Sequence, residues 1–179
     1  MKQILWIVAL VLVAAACGNS GGGTAADSDR PAGDVPAVMA AAVQELITVD
    51  HTFGDGPPPF SRYLLLDAID PSAGSADTGD AASRPLTDSE RSAIEAVVSR
   101  FGPAQWVDDA EPYRTEDLRP TVEGAVIIGV GEPVFDPDGA LVPVSLWCGG
   151  LCGTWLTYRV ELVDDAWAVT DIEGPIAIS

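Results

Sequence analysis

Residues 125–172, AVIIGVGEPVFDPDGALVPVSLWCGGLCGTWLTYRVELVDDAWAVTDI, decide the fold. Apolar and β-branched runs alternate with short breakers. Ala125 to Asp136 runs into the turn Pro137-Asp138-Gly139, and Leu141 to Cys148 returns. Thr154 to Leu162 follows a glycine-rich connection, and Asp164-Asp165 turns the chain into Trp167–Ile172. Side chains on a strand alternate between faces. Val142, Val144 and Leu146 therefore share one face. Leu156, Tyr158, Val160 and Leu162 share another, with Trp155, Thr157, Arg159 and Glu161 opposite them. Connections this short suit hairpins, so the stretch predicts a four-stranded antiparallel meander. Pro143 lacks a donor and belongs at a bulge or at a ladder position that needs none.

A sheet with one apolar face must be covered, and the preceding residues supply two helices. Val35 to Ile47 places Met39, Ala42, Val43, Leu46 and Ile47 on one helical face. Asp34 can cap it and Pro36 suits its first turn. Thr87-Asp88-Ser89-Glu90 is a capping box. Ile94, Val97, Val98 and Phe101 form the stripe behind it, and Gly102-Pro103 stops the helix. Strands are expected at Phe60–Asp67 and Ala104–Val107, and a mobile surface loop at 71–85. The expected fold class is α+β: two amphipathic helices packed on a curved, mainly antiparallel sheet, in one domain over residues 35–179. The order of elements looks like the cystatin-like or NTF2-like architectures. That likeness implies a curved sheet able to enclose a pocket, and it implies no activity.

The N-terminus reads as an address. Met1-Lys2-Gln3 is followed by 13 unbroken apolar residues, Ile4–Ala16. That is shorter than the ~20 residues a membrane-spanning helix needs and fits the core of a secretory signal. The run ends Ala14-Ala15-Ala16-Cys17. This junction resembles the lipobox of bacterial lipoproteins, with Ala14 where that family usually has Leu. The resemblance implies cleavage after residue 16, lipid on Cys17, and anchoring to the outer face of the bacterial cell membrane. The alternative is an ordinary signal cleaved at an A-x-A site, with an incidental cysteine. Gly18–Asp34 (GNSGGGTAADSDRPAGD) holds nothing larger or more apolar than Ala and Pro and reads as a flexible tether. The expected division is thus signal peptide 1–16, lipidated Cys and tether 17–34, domain 35–179.

With 9 Lys+Arg against 27 Asp+Glu, the chain carries −18. No nucleic-acid partner is expected, because counterion release needs a basic face. A single His and three Cys exclude sites of two histidines or four thiolates, and no cofactor or metal is expected. With Cys17 given to lipid by the resemblance, Cys148 and Cys152 remain. Two nearby thiols in an exported protein are expected to oxidise. The flanks, Ser145 to Val169, resemble the C-terminal hairpin of uncharacterised exported bacterial proteins with a CGxLCGxG-like turn and a later Trp-x-Val. Thr154-Trp155 stands here where a second Gly is common. That resemblance carries no established activity.

Other chemistries stay open beside the disulfide. A redox dithiol would use Cys148 and Cys152, though the spacing is C-x₃-C and no cation lies within the loop. A hydrolase would use His51, oriented by Asp50 or Asp55. Asp108-Asp109 with Glu111, and Glu116-Asp117, form acidic clusters that read as solvated loop, with a paired-carboxylate or weak calcium role as the alternative. Asp136-Pro137-Asp138-Gly139 superficially resembles a calcium loop but is followed by Ala140, Leu141 and Val142, which ligate nothing. Trp147 and Trp155 flank the cysteine turn, either as a ligand-binding surface or as packing on the second face. The expected function is a non-catalytic, lipid-anchored envelope domain that binds a protein or a small molecule. Its partners are the membrane, through Cys17, and a protein or ligand not identified by the sequence. The alternatives are the hydrolase, the thiol oxidoreductase, and a purely structural envelope component.

Overall fold

A computed structural model describes residues 34–75 and 83–179. The expected signal peptide, Cys17 and nearly all of the expected tether fall outside these residues, as does the 76–82 part of the expected loop.

The first helix, α1, spans Asp34–Thr48 and the second, α2, spans Asp88–Val98. The strands are β1 (Arg62–Leu66), β2 (Ala104–Val107), β3 (Ala125–Val130), β4 (Val134–Phe135), β5 (Ala140–Gly149), β6 (Cys152–Val163) and β7 (Ala166–Ile178). They form one mixed sheet in the order β2-β1-β3-β5-β6-β7, with β4 pairing β5 beside that path. From β3 through β5 and β6 to β7 each successive pair is antiparallel, giving the C-terminal meander the alternation predicts. The fold is α+β as expected.

Helix α1 lies along β5, β6 and β7. Its stripe Val38, Met39, Ala42, Val43, Leu46 and Ile47 is buried against Val142, Val144, Leu146, Leu156, Tyr158 and Val160. Helix α2 packs on α1 and covers the β1–β2 side. There the Trp106 indole donates to a Glu95 carboxylate at 3.1 Å. The capping box forms as spelled: Thr87 Oγ1 accepts from the Glu90 amide, and Glu90 reaches back to the Thr87 amide at 2.6 Å. Helix α2 stops at Val98, ahead of Gly102-Pro103, as the amides of Arg100 and Phe101 turn back to Val97 and Val98.

Four features depart from the expected picture. First, β1 pairs parallel with both β2 and β3, because α2 carries the chain across between β1 and β2. Second, the expected strand 125–136 breaks at Gly131-Glu132-Pro133 into β3 and β4. Pro133 cannot donate to a ladder, and the Gly131 amide donates to the Pro143 carbonyl at 2.8 Å. That bond places the missing donor of Pro143 on the side of the break, where no partner strand needs it. Third, Leu162 is exposed. It stands at the end of β6, two residues before the turn at Asp164-Asp165. Both turn residues have positive φ (49° and 64°), the signature of a tight type I′ hairpin. Fourth, the sheet is packed on its second face as well. Leu64, Val107, Ala125, Ile127 and Trp147 form a smaller core under the segment that joins β2 to β3.

On that second face Asp70 lies buried over Gly129. It accepts from the Ser145 hydroxyl at 2.6 Å and from both the amide and the hydroxyl of Ser72, at 2.9 and 2.7 Å. The Gly74 amide donates to the Val144 carbonyl at 3.1 Å, so the 70–75 turn is tied to the sheet at both ends.

Candidate functional site

The direction of the strands brings five chain segments to one end of the sheet. β1 and β3 start there, β5 ends there, β6 starts there and β7 ends there. Backbone bonds knit the segments together. The Ser61 amide donates to the Gly124 carbonyl at 2.9 Å, the Gly150 amide to the Leu118 carbonyl at 2.7 Å, and the Ser179 amide to the Gly153 carbonyl at 3.1 Å.

The hairpin between β5 and β6 carries the disulfide Cys148–Cys152, with Cα atoms 5.1 Å apart, within the ordinary span. The ladder shifts register between Trp147 and Gly149, and Gly149 takes φ +154°. A residue with a side chain rarely adopts that backbone, which accounts for a glycine there. At the tip, Leu151 is 95% exposed.

Leu151 has company. Val49, Phe53, Leu118, Ile176 and Ile178 are also exposed and sit at this same end. The described residues include nine exposed large apolar side chains, and the other three, Val134, Leu162 and Val163, lie elsewhere. Beside the hairpin an open cleft of about 660 Å³ is lined by Phe53, Phe60, Arg119, Pro120, Val122 and Cys148, among others. Its aromatic wall is a ladder of edge-to-face contacts, Phe53–Phe60 at 5.6 Å and Phe60–Tyr63 at 6.1 Å. Single exposed apolar residues need no explanation, whereas six gathered at one end form the kind of patch at which interaction sites are found. Asp34 and the start of α1 lie at the opposite end of the domain, beside the β6–β7 turn, where Ala37 and Asp165 line a common groove.

His51 is buried at the edge of this end, with both ring nitrogens engaged by its own loop. Nε2 faces the Gly56 carbonyl at 3.1 Å, and Nδ1 accepts from the Phe53 amide at 3.3 Å. Those partners assign the proton to Nε2, and neither nitrogen is left to serve a substrate. Asp50 does not orient the ring: its carboxylate accepts from the Tyr158 hydroxyl at 2.6 Å. Asp55 is exposed.

Trp147 is buried in the second-face core, with the Arg114 guanidinium 4.8 Å from its ring centre. Trp155 lies on the same face, half-buried, opposite Ser145 in the ladder. In the acidic clusters, Asp109 and Asp117 bond locally. Asp109 accepts from the Glu111 amide at 2.9 Å. Asp117 accepts from the Thr115 hydroxyl and pairs with Arg119 at 3.1 Å, and the hydroxyl bond first of all holds its carboxyl below the usual range. Asp136 accepts from the Asp138 and Gly139 amides and pairs with Arg159, which makes the 136–139 segment a hairpin turn. Among the described residues no three acidic, His or Cys side chains gather as a metal site, and no helix is long and apolar enough to cross a membrane.

Composition and spacing do not reveal the convergence of Phe53, Leu118 and Leu151, because each lies in a separate connection. A local signal exists only for Leu151, an apolar residue stranded between glycines and cysteines. Comparison with family models, with curated proteins and with solved structures finds no match to this chain.

Proposed function

We propose that this protein is an exported, lipid-anchored, non-catalytic envelope protein whose domain binds a partner or ligand through the end that carries the Cys148–Cys152 hairpin. The observation behind this reading is the collection of Val49, Phe53, Leu118, Leu151, Ile176 and Ile178 at the end of the domain opposite Asp34. The AAAC junction at Cys17 and the Gly/Ser/Asp-rich sequence between it and α1 support the anchor reading, since a flexible linker of that composition and length reaches roughly 20–25 Å. Two acyl chains hold a protein at a bilayer where one does not. The engagement of both His51 nitrogens by backbone weighs against the hydrolase alternative.

Two experiments test the reading. Cys17→Ala should leave the protein in the soluble fraction or as an unprocessed precursor. An unmutated protein recovered soluble with a lipid-free N-terminus would refute the anchor. A photo-crosslinking residue placed at Leu151 should form a discrete adduct in intact cells, whereas one at Leu162 should not. Equal labelling from both positions, or none from either, would refute the binding surface.

A further inference from the structure

Parallel strands send their carboxyl ends the same way. β2, β1 and β3 lie side by side and parallel, so Val107, Leu66 and Val130 close their strands at the end of the sheet away from the disulfide hairpin. The chain leaves the neighbours β1 and β2 by different routes. After β1, residues 67–75 swing over β3 and β5, where the Asp70 amide donates to the Val130 carbonyl and the Gly74 amide to the Val144 carbonyl, and the chain later turns into α2 on the first face. After β2, residues 108–124 cross the second face to reach β3. Exits that part in this way leave a crevice outside the strand ends, the place where open sheets of parallel strands take their ligands. Here the crevice measures about 260 Å³. Ala68, Ser72 and Ser83 wall it from one exit, and Asp108, Ala110 and Arg114 from the other. Sites for drug-sized molecules start at about 300 Å³, so the occupant is smaller than that.

The lining carries one cation. The Arg114 guanidinium lies 4.8 Å from the Trp147 ring centre, an aromatic contact that holds it in place. Its Nη1 stands 3.9 Å from the Glu111 carboxylate, beyond hydrogen-bond range. Its Nε is buried and has no partner among the described residues. A buried donor without an acceptor is costly, and a guanidinium fork in that state matches a carboxylate. The rest of the polar lining accepts. The Ser72 and Ser83 hydroxyls donate to Asp70 and to the Ile69 carbonyl, so both oxygens keep lone pairs. Asp108 is exposed and makes no hydrogen bond or ion pair among the described residues.

We infer that this crevice binds a small zwitterion with one carboxylate and one ammonium, the chemistry of a free amino acid. Arg114 takes the carboxylate, and Asp108 with the Ser72 and Ser83 oxygens takes the ammonium. A lone anion would face Asp70, Asp108, Asp109 and Glu111 with no charge of its own to offset them, and a lone cation would meet Arg114. A molecule carrying both charges answers both groups and leaves the net charge of the crevice unchanged. Leu66 and Ile69 give the carbon between its charged ends an apolar wall. The crevice and the hairpin surface lie at different ends of the sheet, so neither reading depends on the other.

Isothermal titration calorimetry on the full chain in detergent tests the site. The probes are glycine, L-alanine and γ-aminobutyrate as zwitterions, with acetate and methylammonium as their single-charge halves. At least one zwitterion should bind saturably, and neither half should bind as tightly. The preferred zwitterion reads the spacing between the charged walls. Arg114→Gln and Asp108→Asn each remove one charged partner and should weaken binding about ten- to hundredfold. Asp108 is exposed, so its variant keeps the fold and decides the matter even where Arg114→Gln does not fold; melting curves of the ligand-free variants check this. No saturable heat from any of the zwitterions at millimolar concentration would overturn the proposal. So would acetate or methylammonium binding as tightly as the best zwitterion, or Asp108→Asn binding with the affinity of the parent.

Discussion

The Tyr158 hydroxyl donates to the Asp50 carboxylate at 2.6 Å, joining β6 to the end of α1 across 108 positions of chain. Burial first, then that bond and the charges of Asp50 and Glu45, lift the hydroxyl far above the ordinary tyrosine range. It therefore remains a donor at every working pH. Tyr63 is as deeply buried, but its hydroxyl finds no partner among the described residues. Tyr158→Phe should cost about 1–3 kcal/mol, because it strands a carboxylate. Tyr63→Phe should be neutral or stabilising. Chemical denaturation of the two variants checks the contrast, and equal losses would contradict it.

Glu90 ties three pieces of the fold together. It takes a two-pronged contact from Arg84 at 2.8 and 2.9 Å and closes the α2 capping box, while Arg84 also reaches Glu132. Burial pushes the Glu90 carboxyl up, but the bonds from Arg84 and Thr87 outweigh it, and the group ends below its ordinary 4.5. A carboxyl depressed in the folded state stabilises above its unfolded value and loses that contribution as pH falls through its folded value. Glu90→Gln should therefore destabilise by about 1–3 kcal/mol at neutral pH. The gap to the parent should narrow below pH 4.5. A gap that stays constant down to pH 3 would remove the charge from the explanation.

Replacing both Cys148 and Cys152 with Ser should leave a folded protein with a lower melting temperature. A five-residue loop gives a chain-entropy cost of about 2 kcal/mol. Calorimetry measures the loss, and complete unfolding at room temperature would show that the cross-link does much more than close its own loop.

Gly129 sits in the middle of β3 beneath Asp70 and Ser145. A methyl group there would collide with the Asp70 carboxylate and the Ser145 hydroxyl at once. Gly129→Ala should cost about 1–3 kcal/mol, the usual penalty of overpacking. Ser145→Ala removes one obstacle, so the double variant should lose less than the sum of the single losses. Strict additivity would place the collision elsewhere.

The parts of this fold legible in the sequence are those written within a few residues. Thr87 and Glu90 spell their own cap. Val142, Val144 and Leu146 declare their face by alternation, and Cys148 and Cys152 lie close enough to pair through one glycine-bearing turn. The parts that escaped depend on who meets whom. Nothing around Arg62 announces a parallel neighbour at Ala125, because register between distant strands is a property of the assembled sheet. Asp50 reads as an aid to His51 next door, yet its partner is Tyr158. Trp147 and Trp155 were legible as a pair on one face. Whether that face was covered depended on the path of residues 108–124, which carries no periodic pattern.

The parallel placement of β1 has a consequence for how the chain acquires its shape. As the ribosome releases the protein from its N-terminus, α1 and the strand RYLLL at 62–66 emerge well before β3, β5 and β6, the surfaces that bury them. Local hairpins can form within the last third as soon as it exists, but β1 must close a long loop before any bond rewards it. Within residues 34–107 only the β1–β2 pair and the α1–α2 contact can form, and the strands that α1 packs on belong to the final third. The cover of α1 is therefore complete only once β5 to β7 have been made.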